Sequence, residues 1–428
     1  MSSTATRPTA GVRTPRADDQ QSEGRLTRAL PFLARLESPV TAYYVLLGTT
    51  AVLVVIGLVM VLSASMVTSY KDDGSSFAIF LNQLVFALVG LVGAVVASRI
   101  PVPWYRRLAF PVLIVAVVLQ MLVFTPLGVS VGGNRNWVRL LPKVQIQPSE
   151  LTKIGLILVG ALVLSNKRKL LGSLRHVIVP FLFPVVAVAI GLVLLGHDLG
   201  TALILLAIVG ALLFVAGVPT RFFLLAGASA SVLAGGLVMT SANRMGRISD
   251  WLSGSGCSDP NGTCYQSVHG LYALADGGWW GVGLGASKEK WSWLPAAHND
   301  FIFAIIGEEL GLPGTLIILL LFSLIGWACY RLVLRSSDQF VRIATAGVMA
   351  WILLQAMINI GSVIGLLPVI GVPLPLVSAG GSALVTTMLA LGMLLSFARN
   401  EPGAREILSA RPSVVRRSLA VLPSRRNR

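Results

Sequence analysis

The chain has 428 residues, of which 55% are hydrophobic and 12% charged, and its mean hydropathy is +0.79. Soluble globular proteins carry about 25% charged residues, so this composition excludes an ordinary soluble fold and favours a membrane protein. The formal net charge is +16, yet the basic residues lie mainly at the two ends and between apolar runs, without a nucleic-acid-binding motif, so we expect no nucleic-acid partner.

The two ends of the chain differ from its middle. The first 42 residues are rich in Ser, Thr, Arg and Pro and show no apolar period, which predicts a disordered cytoplasmic tail over 1–42. A membrane domain is expected over 43–398 and a basic cytoplasmic tail over 399–428. The basic side chains of that last tail suit contact with anionic membrane lipids.

Ten apolar runs occupy the predicted membrane domain, each near the roughly 20 residues that a helix needs to cross a bilayer. Backbone groups find no water in lipid, and the runs lack the alternation of barrel strands, so each run is predicted to be a helix. The expected fold is an all-α polytopic membrane protein with a large extracytoplasmic loop, 241–310, between helices 7 and 8. The predicted spans are 43–66, 78–98, 109–125, 149–165, 178–195, 200–217, 222–240, 311–330, 342–362 and 375–398.

Charge is distributed unevenly between the two sides of these spans. With the N-terminus inside, 25 of the 34 Lys and Arg residues fall on the cytoplasmic side. Cytoplasmic segments of membrane proteins carry the excess of basic residues, so both termini are predicted to be cytoplasmic.

The segment 294–311 places a histidine and three carboxylates at the outer edge of the bilayer: His298, Asp300, Glu308 and Glu309. Carboxylates are rare at this depth unless they are paired, solvated or used. Asp300 fits either the N-cap of a helix over 301–310 or a base that accepts a proton from a hydroxyl. At least one of the two glutamates is expected to pair with a basic residue.

Four cations fall on the outer side against the general trend: Arg135, Arg139, Lys143 and Lys153. Two readings are open. They pair with Glu150 and other external acids, or they form a clamp for a phosphate or diphosphate, since Arg offers a planar fork and Lys a point charge.

Three further features complete the residue pattern. Asp198 is expected to cap a helix or turn. The Pro- and Gly-broken stretch 368–382, which contains Ser378, is predicted to line a groove, because irregular backbone survives at membrane depth only in a cavity or inside protein. The four histidines lack ligand spacing, so no structural metal is expected, and Cys257 and Cys264 fit either a disulfide or two free thiols.

Four ordered motifs resemble those of the SEDS family of polytopic cell-wall polymerases, over about residues 43–400. They are QPSELTK at 147–153, HDLGT at 197–201, LPAAHNDFIFAIIGEELG at 294–311, and Asn359 through Ala383 with its GLLPVIGVPLPLVSAGGSA core. The chain resembles the cell-division branch of that family more than its elongation branch. The family commonly has Arg immediately before the Trp of its GxxRW motif, whereas here Asn136 stands there and Arg135 lies one position earlier.

The resemblance implies a peptidoglycan glycosyltransferase that polymerises lipid II on the outer face of a bacterial cell membrane, at the division septum. Its implied partners are a class B penicillin-binding protein and other division proteins. Asp300 is implied as the general base, with undecaprenyl diphosphate as the leaving group. The implied substrate-binding residues are Lys153, Arg135, Glu308, Glu309, His298 and Ser378.

Alternatives to this reading remain open. A lipid II transporter needs the same groove and cations but no base, a scaffold needs only the tails, and an elongation-type paralogue shares the motifs. A divalent cation, Mg²⁺ or Mn²⁺, is a further candidate for bridging the diphosphate and Asp300, although no dedicated ligand set is visible.

Overall fold

The computed structural model describes residues 38, 40–131, 134–141, 144–223, 227, 235–236, 245–246, 251, 265–291, 293–401 and 403–410. Most of the predicted tail over 1–42, most of the predicted seventh span and the C-terminal residues after 410 lie outside this description. Cys257 and Cys264 lie outside it as well, so their pairing stays a prediction.

Helices make up most of the described chain. They are α1 (Thr41–Asp73), α2 (Ala78–Arg99), α3 (Val102–Leu122), α4 (Pro148–Asn166), α5 (Leu174–Val177), α6 (Ala187–Leu195), α7 (Leu199–Ala216), α8 (Tyr265–Gly277), α9 (Ile302–Arg335), α10 (Gln339–Val363), α11 (Gly381–Arg399) and α12 (Ala404–Ala410). A 3₁₀ turn at Arg168–Leu170 lies before α6, followed by a π-helical segment at Ile178–Val186 that is interrupted by extended backbone at Val179 and Phe183. All but the short α5, α6, α8 and α12 are long and apolar enough to cross a membrane, giving eight candidate spans within the described ranges. The predicted polytopic helical fold is confirmed.

Several predicted boundaries were wrong. The third span begins at Val102, not at 109. Arg106 near the N-terminal end of this helix is tolerated there because its guanidinium is paired with Asp338 at 2.6 Å. The predicted fifth span consists of the π-helical segment followed by α6, which has only nine residues.

The loop predicted over 241–310 already ends before α9, and it contains α8. Glu308 and Glu309 lie inside α9, where the protein itself pairs them. Helix α9 changes direction at Gly311, which has φ +66°. A Cβ atom there would overlap the backbone nitrogen of Gly281, so only glycine lets the preceding loop pack this closely.

A small antiparallel sheet, which the sequence did not predict, connects α3 to α4. Its strands β1 (Gly128–Val131), β2 (Asn134–Leu141) and β3 (Val144–Ile146) pair in the order β1-β2-β3. In β2, Val138 pairs with Ile146 and Arg139 with Gln145. Residues two apart in a strand share a face, so Gln145 lies on the same face of the hairpin as Trp137.

The helix ends define two faces of the bundle. The sheet face holds the β-sheet, α8 and the segment 278–301. The opposite face holds the turns after α2, α4, α7 and α9, where Arg335 lies 3.9 Å from Glu401. Arg331 there donates to the carbonyl of Ser38 at 2.7 Å, so the first described residue and the end of α11 lie on the same side of the bundle.

Candidate functional site

Three consecutive backbone carbonyls before α9 are each held by a different residue. The His298 oxygen accepts from the Ala379 N–H at 2.9 Å, and the Asn299 oxygen accepts from Ser378 Oγ at 2.7 Å. The Asp300 oxygen accepts from Asn359 Nδ2 at 2.7 Å. We call residues 298–300 the clamped segment. Its backbone is fixed by α10 and by the stretch before α11.

The stretch 364–380 is not helical, so the last span begins at Gly381 and not at the predicted residue 375. Its backbone is held by a row of polar side chains along α10. Gln355 Nε2 donates to the Pro373 oxygen at 2.9 Å, Asn359 Nδ2 to the Val372 oxygen at 2.7 Å, and Ser362 Oγ to the Pro368 oxygen at 3.1 Å. Residues four apart share a helix face, so a single row meets successive carbonyls. As predicted, this broken backbone lines cavities: Gly371 and Val372 line one, and Ala379 and Gly380 line another.

The N-cap residue of α9 is Phe301, so Asp300, one candidate for this cap, lies one position before it. Its side chain is half-buried, and a Cβ atom at Gly371 would stand 3.5 Å from Asp300 Oδ2. Asp300 lines a cavity of about 10 Å³ together with Asn359 and Gly371. That volume is close to the space for one water molecule.

A larger cavity of about 230 Å³ lies on the other side of the clamped segment. His298 and Asn299 line it, together with side chains from α2 and from the β2–β3 hairpin. The lining residues are Ile79, Asn82, Gln83, Phe86, Trp137, Gln145, His298, Asn299, Ala379, Gly380 and Gly381. Apart from His298, no described side chain in this lining carries a titratable group.

His298 is the one titratable group in this lining. Burial lowers the pKa of its imidazole, while the nearby Asp72 carboxylate raises it, and the lowering prevails. Its Nδ1 is buried without a hydrogen-bond partner in the described structure. An imidazole with a lowered pKa is neutral at pH 7 and offers one donor and one acceptor.

Lys153 is enclosed by protein. Its Nζ lies 2.6 Å from Glu150 Oε1 and 3.1 Å from Gln355 Oε1, and it stands 4.7 Å from the centre of the Trp351 ring. Its exposed fraction is 1%. The reading in which this cation pairs with Glu150 is confirmed, and Lys153 has no surface for a ligand in this arrangement.

Arg135 is turned away from the clamped segment. Its guanidinium donates to the Thr125 oxygen at 2.9 Å, and its backbone N–H donates to the Gly196 oxygen at 2.9 Å. Neither Arg135 nor Lys153 lines a described cavity beside Asp300. The structure therefore does not bring the two together as a diphosphate clamp.

Glu308 and Glu309 are buried and fix the loop before the clamped segment. Glu309 lies 3.2 Å from Lys290 Nζ and accepts from Ser63 Oγ at 2.6 Å. Glu308 accepts from the Lys288 N–H at 2.6 Å and from Ser287 Oγ at 2.5 Å. The expected pairing of a glutamate with a basic residue is confirmed. Substrate contact is not seen, since both glutamate side chains are at most 1% exposed.

Asp198 caps α7, as expected. Its side chain accepts from the Thr201 N–H at 2.9 Å, and it also accepts from Asn136 Nδ2 at 2.8 Å and Gln147 Nε2 at 3.1 Å. Asn136, which stands where the family commonly has Arg, thus has a structural role, because its amide connects β2 to the residue that caps α7.

Three contributors to the site were given no role by sequence reasoning: Gln83, Lys290 and Asn359, the last of which begins the fourth motif. Gln83 Nε2 donates to the Ser378 oxygen at 3.2 Å, and its Oε1 accepts from the Gly380 N–H at 3.2 Å. A usable signal existed for the two amides, since each is a polar residue inside an apolar run. Lys290 gave no such signal, because nothing in a loop sequence indicates that a lysine will be buried.

A divalent cation would find few protein ligands around Asp300 among the described residues. Among the described residues, no three His, Cys, Asp or Glu side chains converge on one point. Hard divalent cations take several oxygen ligands, so the single carboxylate of Asp300 does not form a metal site of its own.

Comparisons with known proteins agree on one family. The model for the FtsW/RodA/SpoVE cell cycle proteins matches residues 44–402. The probable peptidoglycan glycosyltransferase FtsW of Mycobacterium tuberculosis is 42% identical over 404 residues, covering 94% of this chain and 76% of that protein. Stage V sporulation protein E of Bacillus subtilis is 37% identical over 352 residues, covering 82% of this chain and 95% of that protein.

Solved structures are similar too. A chain from a peptidoglycan synthase complex, studied for its coordination of polymerization and crosslinking, has a TM-score of 0.67 at 26% identity and covers 83% of this chain and 97% of that one. The rod shape determining protein RodA of Thermus thermophilus has a TM-score of 0.60 at 25% identity, with 83% and 96% covered. The chain belongs to the FtsW/RodA/SpoVE family, which is the SEDS family that its motifs resemble.

Proposed function

We propose that this chain is a peptidoglycan glycosyltransferase that polymerises lipid II, with Asp300 as the general base. The observation that supports it is the clamped segment. Three consecutive carbonyls are fixed by Asn359, Ser378 and Ala379, so the backbone that carries the Asp300 carboxylate is held in place at the end of a membrane span. A base in a fixed position removes a proton efficiently because its orientation is set before the reaction.

In the proposed reaction a hydroxyl of the acceptor sugar gives its proton to Asp300 while its oxygen attacks the anomeric carbon of the donor. The bond from that carbon to the diphosphate breaks, and undecaprenyl diphosphate leaves with the bonding electrons. Only a hydroxyl has to reach Asp300, which agrees with the small cavity of about 10 Å³ beside the carboxylate. No step relies on a metal ion. A role for Mg²⁺ or Mn²⁺ is a separate proposal, in which the diphosphate itself supplies most of the ligands.

The test is glycan polymer formation by the purified full chain supplied with lipid II. Asp300→Asn keeps the shape and removes the base, and we expect the rate to fall by about 10²- to 10⁴-fold. The matched control is Asp338→Asn, which changes a carboxylate on the opposite face. Polymer made by Asp300→Asn at the wild-type rate would refute the base. Lipid II movement across vesicles without polymer would favour the transporter instead.

We further propose that the sheet face is extracytoplasmic, that both termini are cytoplasmic, and that the protein works at the division septum with a class B penicillin-binding protein. A similar chain in a peptidoglycan synthase complex supports such a partner. The basic segments on the opposite face support the orientation. Labelling of single cysteines placed at 72 and 338 with an impermeant reagent tests the orientation. Localisation of a tagged copy and co-purification test the rest.

A further inference from the structure

The larger cavity on the sheet face is lined by several polar groups. The side-chain amides of Asn82, Gln145 and Asn299 line this cavity, the first exposed and the other two partly buried, and His298 Nδ1 is buried without a partner. Buried polar atoms normally have a hydrogen-bond partner, so a buried unpaired nitrogen beside amides in one cavity points to a ligand site.

The chemistry of the lining indicates that it suits the sugar part of the substrate and not the diphosphate. Amides donate and accept, so three of them together suit hydroxyl and amide groups of a sugar. Phosphate is normally met by Arg, Lys or backbone N–H groups, and no cation is present among the described lining residues. The charge that acts on His298 is the Asp72 carboxylate, which repels a diphosphate.

The shape agrees with the same ligand. Trp137 provides an aromatic wall, and the C–H face of a sugar ring packs on such a surface. Gln145 stands on the same face of the hairpin as this ring. Pockets for drug-sized ligands measure about 300–1,000 Å³, so the volume of about 230 Å³ suits one sugar ring and not a disaccharide with its peptide.

We propose that this cavity, lined by Asn82, Trp137, Gln145, His298 and Asn299, binds one uncharged sugar ring of the lipid-linked substrate. The proposal rests on the proposed function for the identity of the substrate. The clamped segment connects the two places, because His298 and Asn299 line this cavity and Asp300 lines the small one. The diphosphate lies outside this cavity.

The experiment compares two lipids that differ only in the presence of the sugar part: lipid II and undecaprenyl diphosphate. Binding is measured on the full chain in nanodiscs, in an Asp300→Asn background so that lipid II is not consumed. Trp137→Ala, Asn82→Ala and Gln145→Ala are expected to weaken lipid II binding by about tenfold or more, while undecaprenyl diphosphate binding stays within about twofold. Trp137→Phe keeps a ring and is expected to retain most of the binding.

The control is Trp104→Ala, which removes an exposed Trp at the opposite face. Elution profile and thermal unfolding show whether each variant folds. Equal weakening of both lipids, or no weakening of either, would overturn the sugar site. Polymer formation by the wild type is assayed in parallel. If the wild type forms no polymer while the variants lose lipid II binding selectively, the polymerase proposal fails and the sugar site stands. If polymer forms but the variants show no selective loss, the sugar site fails and the polymerase proposal stands.

Discussion

Asn359 Nδ2 lies 2.7 Å from the backbone oxygen of Asp300 and 2.7 Å from that of Val372, so one amide joins the residue proposed as the base to the irregular stretch beside it. Asn359 is 3% exposed. The loss of the donor to a buried carbonyl costs about 1–3 kcal/mol of stability, and here one NH₂ group donates to two carbonyls. The position of Asp300 thus depends on a side chain from another helix.

Asn359→Asp removes this donor while preserving the shape of the side chain. We expect the polymerisation rate to fall by about 10- to 100-fold, because displacement of a reacting group by about 1 Å has effects of this size. The measurement is the rate at saturating lipid II. The matched control is Asn400→Asp, whose amide bonds the Ser396 oxygen on the opposite face. Equal rates in Asn359→Asp and wild type would show that this amide does not position the base.

Ser378 is expected to act in the same way through Asn299. Its Oγ donates to the Asn299 oxygen at 2.7 Å and accepts from the Leu374 N–H at 2.8 Å. Ser378→Ala breaks both bonds, and we expect a fall in rate of about tenfold, in line with the loss of buried hydrogen bonds of about 1–2 kcal/mol. Ser323→Ala, which removes a hydroxyl on an exposed helix face, serves for comparison. The idea fails if the two alanine variants have equal rates.

The buried pair of Lys290 and Glu309 is expected to stabilise the loop that leads to the clamped segment. Removal of one partner leaves a buried charge unpaired and typically costs about 3–5 kcal/mol. Glu309→Gln and Lys290→Met should therefore each lower the thermal unfolding temperature. The double variant should lose less than the sum of the two single losses, because no charge remains unpaired. Strict additivity in this cycle would show that the two side chains do not interact.

Glu401 gives a prediction about pH. Burial raises the pKa of this carboxyl above its ordinary value, although Arg335 and Arg331 oppose the shift. A raised pKa means that the folded state favours the protonated form, so its contribution to stability is lost as the pH rises from 4.5 through the folded-state pKa. Glu401→Gln should raise the unfolding temperature at pH 8 and have less effect near pH 4. The exposed Glu406→Gln is the control, and an equal effect of Glu401→Gln at both pH values would contradict the assignment.

Much of the architecture could be predicted because it depends on local composition. Apolar runs near 20 residues long must be helices in lipid, and the distribution of Lys and Arg predicts their orientation. The cap at Asp198 and the irregular stretch around Ser378 also follow from short-range rules for turn residues and for proline. Boundaries were less accurate where a charged residue is neutralised by a distant partner, as Arg106 is by Asp338 and Glu309 by Lys290.

The residues alone determined that this chain is a polytopic helical membrane protein with acidic chemistry concentrated at 298–309, because periodicity, hydropathy and charge act over short distances along the chain. Only the tertiary structure decided which of those groups meet. It buried Lys153 against Glu150, turned Arg135 to a carbonyl, and placed Asp300 beside α10 while His298 and Asn299 face the larger cavity. Other contacts of the site join residues far apart in the chain, such as Gln83 and Ser378, which are 295 positions apart, and no local pattern records the side-chain packing that selects them.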